Sequence, residues 1–511
     1  MKFRTLILFA SLLFIPFGLS ACKFSLFDLE SKNNDKTSVS ADDNHGLDQE
    51  SSDALLNRLL QDTDLSADDG ADSNDDEDDD ADVEADENLS KIMAVTTQKK
   101  LDELIKSGVN INANDNRGRT ALMLSSDPDF IQMLLKAGAN INARDVKGNT
   151  PLHHAESPEI IGILLKAGAD VNAPNNHGWT PLMFAEKPEV AQALINAGAK
   201  LELKTNEGMT ALMSLDNYET ARILIKAGAN VNAEDDSGRT PLMHVSNPDI
   251  LKELIKAGAN VNHKDKKGMT PLMRADSPEE VQLLLANGAD INAKCELGAT
   301  PFMYASDPNV IKILAKAGSN VNAKTKSGKT ALFYARNPEE IKAFIEAGVD
   351  PNIRDDEDFT ALMRESNVDN YKALLEGGAN ANDRYKGMTL LMAEEDPRLI
   401  ALLIKHGADI NAKDNDGANA LMHAKDPTII KLLIAAGADV NARDNEGATA
   451  LMYHADVEIS RLLLEAGADP YIKDNDGVNA FDYHANDNEV EMKRQKLLNQ
   501  YKSLSKELFA V

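Results

Sequence analysis

Cysteine is almost missing from this chain: only Cys22 and Cys295 occur among 511 residues, too few for a disulfide framework. Basic residues are scarce as well. The 54 Lys and Arg stand against 83 Asp and Glu, and the formal charge of -29 disfavours nucleic acid as a partner. Aromatic residues make up 5% of the chain and include one tryptophan, so any local concentration of rings is informative. No HExxH, GxSxG or phosphate-loop pattern is present, and no Cys-His pair suggests a nucleophile. His153 and His154 are adjacent, which on a helix turns them about 100° apart and away from a common metal ion. The sequence therefore predicts no catalytic residue, no metal site, no cofactor and no small-molecule substrate.

Lys2 and Arg4 precede an apolar run, Leu6 to Gly18, that is too short to span a bilayer comfortably and has the form of a secretory signal. Its end, Leu19-Ser20-Ala21-Cys22, resembles the bacterial lipobox. That resemblance implies that residues 1–22 are a lipoprotein signal peptide and that Cys22 becomes the lipidated first residue of the mature protein. Lys23 after the cysteine, rather than Asp, implies sorting to the outer membrane, with the periplasmic or surface face left open. Residues 23–89 follow as an acidic tether. Between 41 and 90 there are twenty Asp or Glu against Arg58 alone, a composition that cannot bury enough apolar surface to fold. As a coil this segment spans roughly 45 Å, and more when its charges repel. Its Asp-rich run 75–80 lacks the spacing of an EF-hand calcium loop.

A thirty-residue period governs the rest. Thr120, Thr150, Thr180, Thr210, Thr240, Thr270, Thr300, Thr330 and Thr360 each open a Thr-(Pro/Ala)-(Leu/Phe) triplet. The phase continues through Thr389, Asn419, Thr449 and Asn479 after a one-residue slip between 360 and 389, and reaches back to Ser90-Lys91-Ile92-Met93. Such self-similarity is the signature of stacked repeats. In the unit 240–269, Thr240 is predicted to cap a short first helix with Pro241 at its first position. Asn247, Pro248 and Asp249 open a second helix, and equivalent trios occur at 127–129, 157–159, 277–279 and 337–339. Ile250, Leu251, Leu254 and Ile255 form one apolar stripe that must face another repeat. Lys256 lies in the last turn and Gly258 is placed for a left-handed cap. An extended Ala-Asn-Val-Asn segment then leads to a turn near Lys266-Lys267-Gly268.

A TPLM opening, two helices and an AGANVNA close, recurring in phase over about residues 90–485, resemble ankyrin repeats. The resemblance implies an all-α solenoid of 13–14 helix-turn-helix units with hairpin-like loops, and a role in protein recognition. The expected layout is a capping repeat at 90–119, twelve repeats over 120–478, and a capping repeat and helix over 479–511. Leu497, Leu498, Tyr501, Leu504 and Leu508 supply an apolar face for that last helix. Two departures stand out. The unit is three residues shorter than the family's 33, which shortens the first helix, and the histidine usual after TPL is mostly Met, as at Met123, Met183, Met213, Met243, Met273, Met303, Met363, Met392, Met422 and Met452. Neighbouring units lie about 10 Å apart, too far for two sulfurs to share a metal, so this row is expected to pack in the core.

Two columns vary while the frame repeats. Counting each Thr as zero, position +4 lies about 200° around the helix from the buried Leu at +2 and is expected to face outward. It holds His154, Phe184, His244, Arg274, Tyr304, Tyr334, Arg364, His423, Tyr453 and Tyr483, rich in the residue types that interfaces concentrate. Packing against the loop of the next unit is the competing role. The second column, just before each Thr, is expected at the loop tips and includes Arg119, Trp179, Met209, Arg239 and Phe359. The function these features imply is a non-catalytic scaffold, lipid-anchored in a bacterial envelope, that binds an unidentified protein through both columns. A passive envelope spacer with a cation-binding tether, and an effector directed at host proteins, are the alternatives.

Overall fold

The computed structural model describes residues 87–483 and 489–508, which form two compact units, 87–356 and 357–508. The signal sequence, Cys22 and the acidic segment up to residue 86 lie outside the described residues. The folded region starts ahead of the expected boundary at Ser90: the helix Glu87–Met93 buries Leu89 and Ile92. Among the described residues, thirteen helices of nine residues recur, nine in the first unit and four in the second. Each is preceded, within its repeat, by a shorter helical segment. No described helix is long and apolar enough to cross a membrane.

The second-helix start signals work as their chemistry requires. Asn247 Oδ1 accepts the Asp249 N–H at 2.9 Å, Asp127 does the same for Asp129, and Ser157 caps Ile160. Ile250, Leu251 and Leu254 are buried, whereas Ile255 is only half-buried, so the stripe is three residues wide rather than four. At the other end Gly258 adopts φ 92°, and the Ala259 N–H reaches back to the Leu254 carbonyl at 3.0 Å in a Schellman-type closure.

From the second repeat on, the first segments are single turns of three or four residues, such as Pro241–Met243, and here one expectation fails. The Thr240 hydroxyl makes no cap, because the Met243 N–H is already bonded to the Thr240 carbonyl at 2.8 Å. The hydroxyls of Thr120, Thr240, Thr270, Thr300 and Thr360 are buried without a partner. The threonine amide is served from three residues ahead: His153 Nδ1 accepts the Thr150 N–H at 3.0 Å, and Met183 and Met213 sulfurs accept from Thr180 and Thr210 at 3.4 and 3.5 Å. The methionine row is buried throughout, as the packing reading expects.

After the second helix the chain does not run extended. The His263 N–H closes a turn on the Asn260 carbonyl, and the asparagine that ends most of these Asn/Asp-x-Asn motifs ties neighbouring repeats together. Asn232 Oδ1 accepts the Asn260 N–H at 2.8 Å while its Nδ2 donates to the Gly258 carbonyl at 3.1 Å. Asn262 repeats both bonds onto Asp290 and Gly288, and Asn322 onto Asp350 and Gly348. In the second unit Asn382, Asn411 and Asn441 do the same. A second row joins the loop tips: the Val146 N–H donates to the Arg117 carbonyl at 3.0 Å, and Asn176 to Lys147, onward to Asp356 and Ser327. This close approach explains Gly148, where φ is 80° and an added Cβ would stand 2.3 Å from Asn176 Oδ1.

The second unit opens on the irregular repeat. Asp358 takes the place of the turn glycine and carries φ 70°, a conformation costly for a residue with a Cβ. The one-residue slip falls in the next loop, where Arg384–Tyr385 pairs antiparallel with Met388–Thr389 around a two-residue turn, Lys386-Gly387, both at positive φ. The unit closes with the helix Glu489–Leu508. There Arg494 is fully buried and donates to Leu451 and Tyr483 carbonyls at 2.7 and 3.3 Å and to the Ser460 hydroxyl. Replacing Asn262 with Ala is expected to lower unfolding stability by about 0.5–1.5 kcal/mol per lost bond, since it leaves the exposed Asp290 turn amide and the Gly288 carbonyl without their protein partner. Urea titration followed by circular dichroism checks this, and a change within error would show that water serves those groups equally well.

Candidate protein-binding surface

Five residues before each frame Thr sits a side chain the sequence reading missed. In the first unit these are Asp115, Asp145, Asn175, Thr205, Asp235, Asp265, Cys295, Thr325 and Asp355. Asp235 closes its own turn: Oδ1 accepts the Ser237 and Arg239 N–H groups, both at 2.8 Å, and the Gly238 N–H bonds the Asp235 carbonyl. Asp115 and Asp265 make the same pairs, and Asn175 does so with a neutral amide. The carboxylates of Asp115 and Asp235 are wholly inaccessible to solvent. A buried carboxylate is tolerable only when paired, and its second oxygen is where both varying columns meet.

The +4 side chains turn back toward this position. His154 Nε2 lies 3.0 Å from Asp145 Oδ2, His244 Nε2 2.9 Å from Asp235 Oδ2, and Arg274 3.1 Å from Asp265 Oδ2. Tyr304 reaches Cys295 Sγ at 3.5 Å. In the second unit His423 meets Asp414 and Tyr453 meets Asp444. Neither expected role describes them fully. Phe184, Tyr334 and Tyr453 are exposed, at 42–43%, while His154, His244, Arg274, Tyr304 and Arg364 are half-buried over the base of the preceding loop. Arg364 also covers the Phe359 ring, its guanidinium carbon 4.5 Å from the centroid, and bonds Glu357.

The residues just before each Thr are not at the loop tips. Asp115 and Asp235 N–H groups bond the carbonyls of Arg119 and Arg239, which places this column at the loop base, while the turn tips lie two and three residues earlier. Arg119 and Arg239 Nε atoms each donate to the buried carboxylate below them at 2.8 Å. Trp179 and Met209 are half-buried, and Phe359 is 7% exposed and stacked on Tyr385 at 4.4 Å. Trp179 and Phe184 do converge, edge to face at 5.6 Å, and His153 also meets the Phe184 ring at 5.5 Å. Cys295 is buried, which shields it from pairing with another chain. Among the described residues no cluster of side chains is suited to hold a metal ion.

Burial alone would raise the Asp145 and Asp235 carboxyls, yet both lie below the usual range. Hydrogen bonds from the Asn149 or Arg239 backbone and from the facing histidine outweigh it. Burial pushes His153 and His244 below the ordinary 6.5, so each is held neutral. The unfolded chain therefore takes up these protons first as pH falls below about 6.5, and folding stability drops. A second loss follows at lower pH, as it falls through the depressed folded values of the two aspartates. Replacing His153 with Met, the residue most repeats carry there, is expected to flatten the fall in thermal midpoint between pH 7 and pH 5. Equal slopes for the two proteins, measured by scanning fluorimetry across that range, would refute this.

The family model described as ankyrin repeats (3 copies) matches residues 91–175, 126–205, 156–235, 185–265, 209–295, 244–325, 276–355 and 390–474. These windows span more than half of the chain and omit 356–389, the stretch that holds Asp358 and the shortened loop. Among solved structures, the crystal structure of the ankyrin repeat domain of Bcl-3, a unique member of the IkappaB protein family, is 27% identical. That match covers 39% of this chain and 99% of the other, with a TM-score of 0.32. No curated protein matches the chain. With the family model recurring over most of its repeats, the chain belongs to the ankyrin-repeat family.

Proposed function

We propose that this protein is a non-catalytic scaffold, held in a bacterial envelope by lipid on Cys22, whose ankyrin array recognises another protein. The reading rests on membership in a family of protein-recognition folds and on one observation above all. In the first unit, Trp179 and Phe184 form an aromatic pair in the same row as His154, His244 and Arg274, whose buried acids are already compensated. Such a surface offers rings and donors without a desolvated carboxylate opposing the partner, the composition that interface centres favour. Frame residues repeat for folding, whereas these positions differ from unit to unit, as recognition requires. The lipobox-like Leu19-Ser20-Ala21-Cys22 and the acidic segment behind it support an anchored, outward-held array, with the outer membrane as the favoured address.

Crosslinking the full protein in envelope extracts is expected to capture a reproducible partner, and Trp179→Ala with Phe184→Ala to reduce capture at least about tenfold without altering the circular dichroism spectrum. Undiminished capture by the double variant would remove this surface from the interface. Cys22→Ser is expected to abolish labelling with a fatty-acid analogue and release the protein into the soluble fraction. An unlabelled wild type would end the anchoring proposal.

A further inference from the structure

On a chain with a formal charge of -29, three consecutive loops of the first unit carry an excess of lysine. Lys264, Lys266, Lys267, Lys294, Lys324 and Lys326 are all exposed. Three of their ammonium groups are held in place by neutral acceptors: Lys264 donates to the Lys294 carbonyl at 3.1 Å, Lys266 to the Asp236 carbonyl at 2.6 Å, and Lys324 to the Arg354 carbonyl at 2.9 Å. A carbonyl fixes the position of a charge without cancelling it. No ion pair among the described residues involves Lys264, Lys266, Lys294, Lys324 or Lys326, and the buried acid within these loops, Asp265, is taken by Arg274. Glu296 is the one exposed carboxylate in the turns. The patch also holds apolar surface, with Leu297 51% and Tyr334 43% exposed.

We infer that this lysine-bearing edge is the docking site for an extended acidic segment of a separate partner protein, an inference that rests on the scaffold reading above and names the partner's chemistry. Charge complementarity carries it, and the boundaries of the patch select the partner class. Glu234 and Asp236 lie on one side of it and Asp356 on the other, all at adjoining loops. At a repeat spacing of about 10 Å, the outer lysine loops stand roughly 20 Å apart, the length of about six or seven extended residues. A nucleic acid backbone continuing past that length would meet carboxylates at both ends. The Asp-rich run 75–80 of this chain is poorly placed. From Glu87 to the loop at Lys264 runs roughly 50–60 Å at the repeat spacing, whereas residues 81–86 reach only about 20 Å when fully extended.

Fluorescence anisotropy tests this with the full-length protein and a labelled synthetic peptide of residues 68–86 as the acidic probe. Binding is expected to weaken at least about tenfold between low and physiological salt, and by a further tenfold or so in Lys264→Glu/Lys266→Glu/Lys326→Glu. The matching Lys→Gln triple, gentler on folding, is expected to weaken it by a smaller factor. Binding by both triples equal to wild type overturns the inference. A rise in probe affinity on deleting residues 41–80 overturns it in favour of the chain's own segment, and tighter binding of a single-stranded oligonucleotide of equal charge overturns it in favour of nucleic acid. Trp179→Ala is expected to leave probe binding unchanged, so a failure here is distinct from a failure of the scaffold reading.

Discussion

A repeat of this kind cannot satisfy its own polar backbone, and the asparagine that ends most of the Asn/Asp-x-Asn motifs resolves that constraint. Its amide oxygen accepts a turn N–H of the following repeat and its amide nitrogen donates to a carbonyl just past that repeat's second helix, as at Asn232 and Asn262. Helix ends leave such carbonyls without an intrahelical partner. One side chain therefore closes a turn, caps a helix and fixes the spacing between neighbours. The apolar stripe, three residues wide, supplies cohesion, but the asparagine bonds fix the register in which the stripes meet.

The recognition surface is built on the same economy. Each loop needs an acceptor for two turn amides, and a carboxylate at that position makes both bonds with one oxygen, as Asp235 does. Its other oxygen must then be paired, and it recruits the +4 side chain of the following helix or the arginine at the loop base. Where the acceptor is Asn175 rather than Asp, the +4 residue is Phe184 and the loop-base residue is Trp179, so the surface becomes aromatic there. The chemistry displayed thus follows from the acceptor beneath it. At Thr325 the position above is Tyr334, exposed at 43%.

Much of the fold was legible because its signals are local. Asn247-Pro248-Asp249 starts a helix and Gly258 ends one whatever the rest of the chain does, and a thirty-residue period reports stacking directly. The site was legible only in part. The sequence marks the +4 column as variable and rich in Tyr, His and Arg and leaves open whether it faces outward or packs on the next unit's loop; His154, His244 and Arg274 instead fold back on buried acids of the preceding loop. The column before each Thr was expected at the loop tips and lies at the loop base, because the turn closes two residues earlier. The signal for the acid row was present in the sequence: Asp145, Asp235 and Asp265 stand in phase, nine residues ahead of His154, His244 and Arg274.

The sequence by itself determined the repeat, its helix boundaries, the burial of the methionine row and the position of the slip before Thr389. These depend on residue type and spacing within one unit, where backbone conformation and helical periodicity act over a few residues. The tertiary structure alone decided that the Thr240 hydroxyl caps nothing, that Ile255 is half-buried, and that Phe359 lies beneath Arg364 and against Tyr385. It also decided which lysine ammoniums are held by carbonyls of the neighbouring repeat. Those outcomes depend on how far one repeat stands from the next and how each is turned, and a hydrogen bond or a buried face exists only once that distance is set.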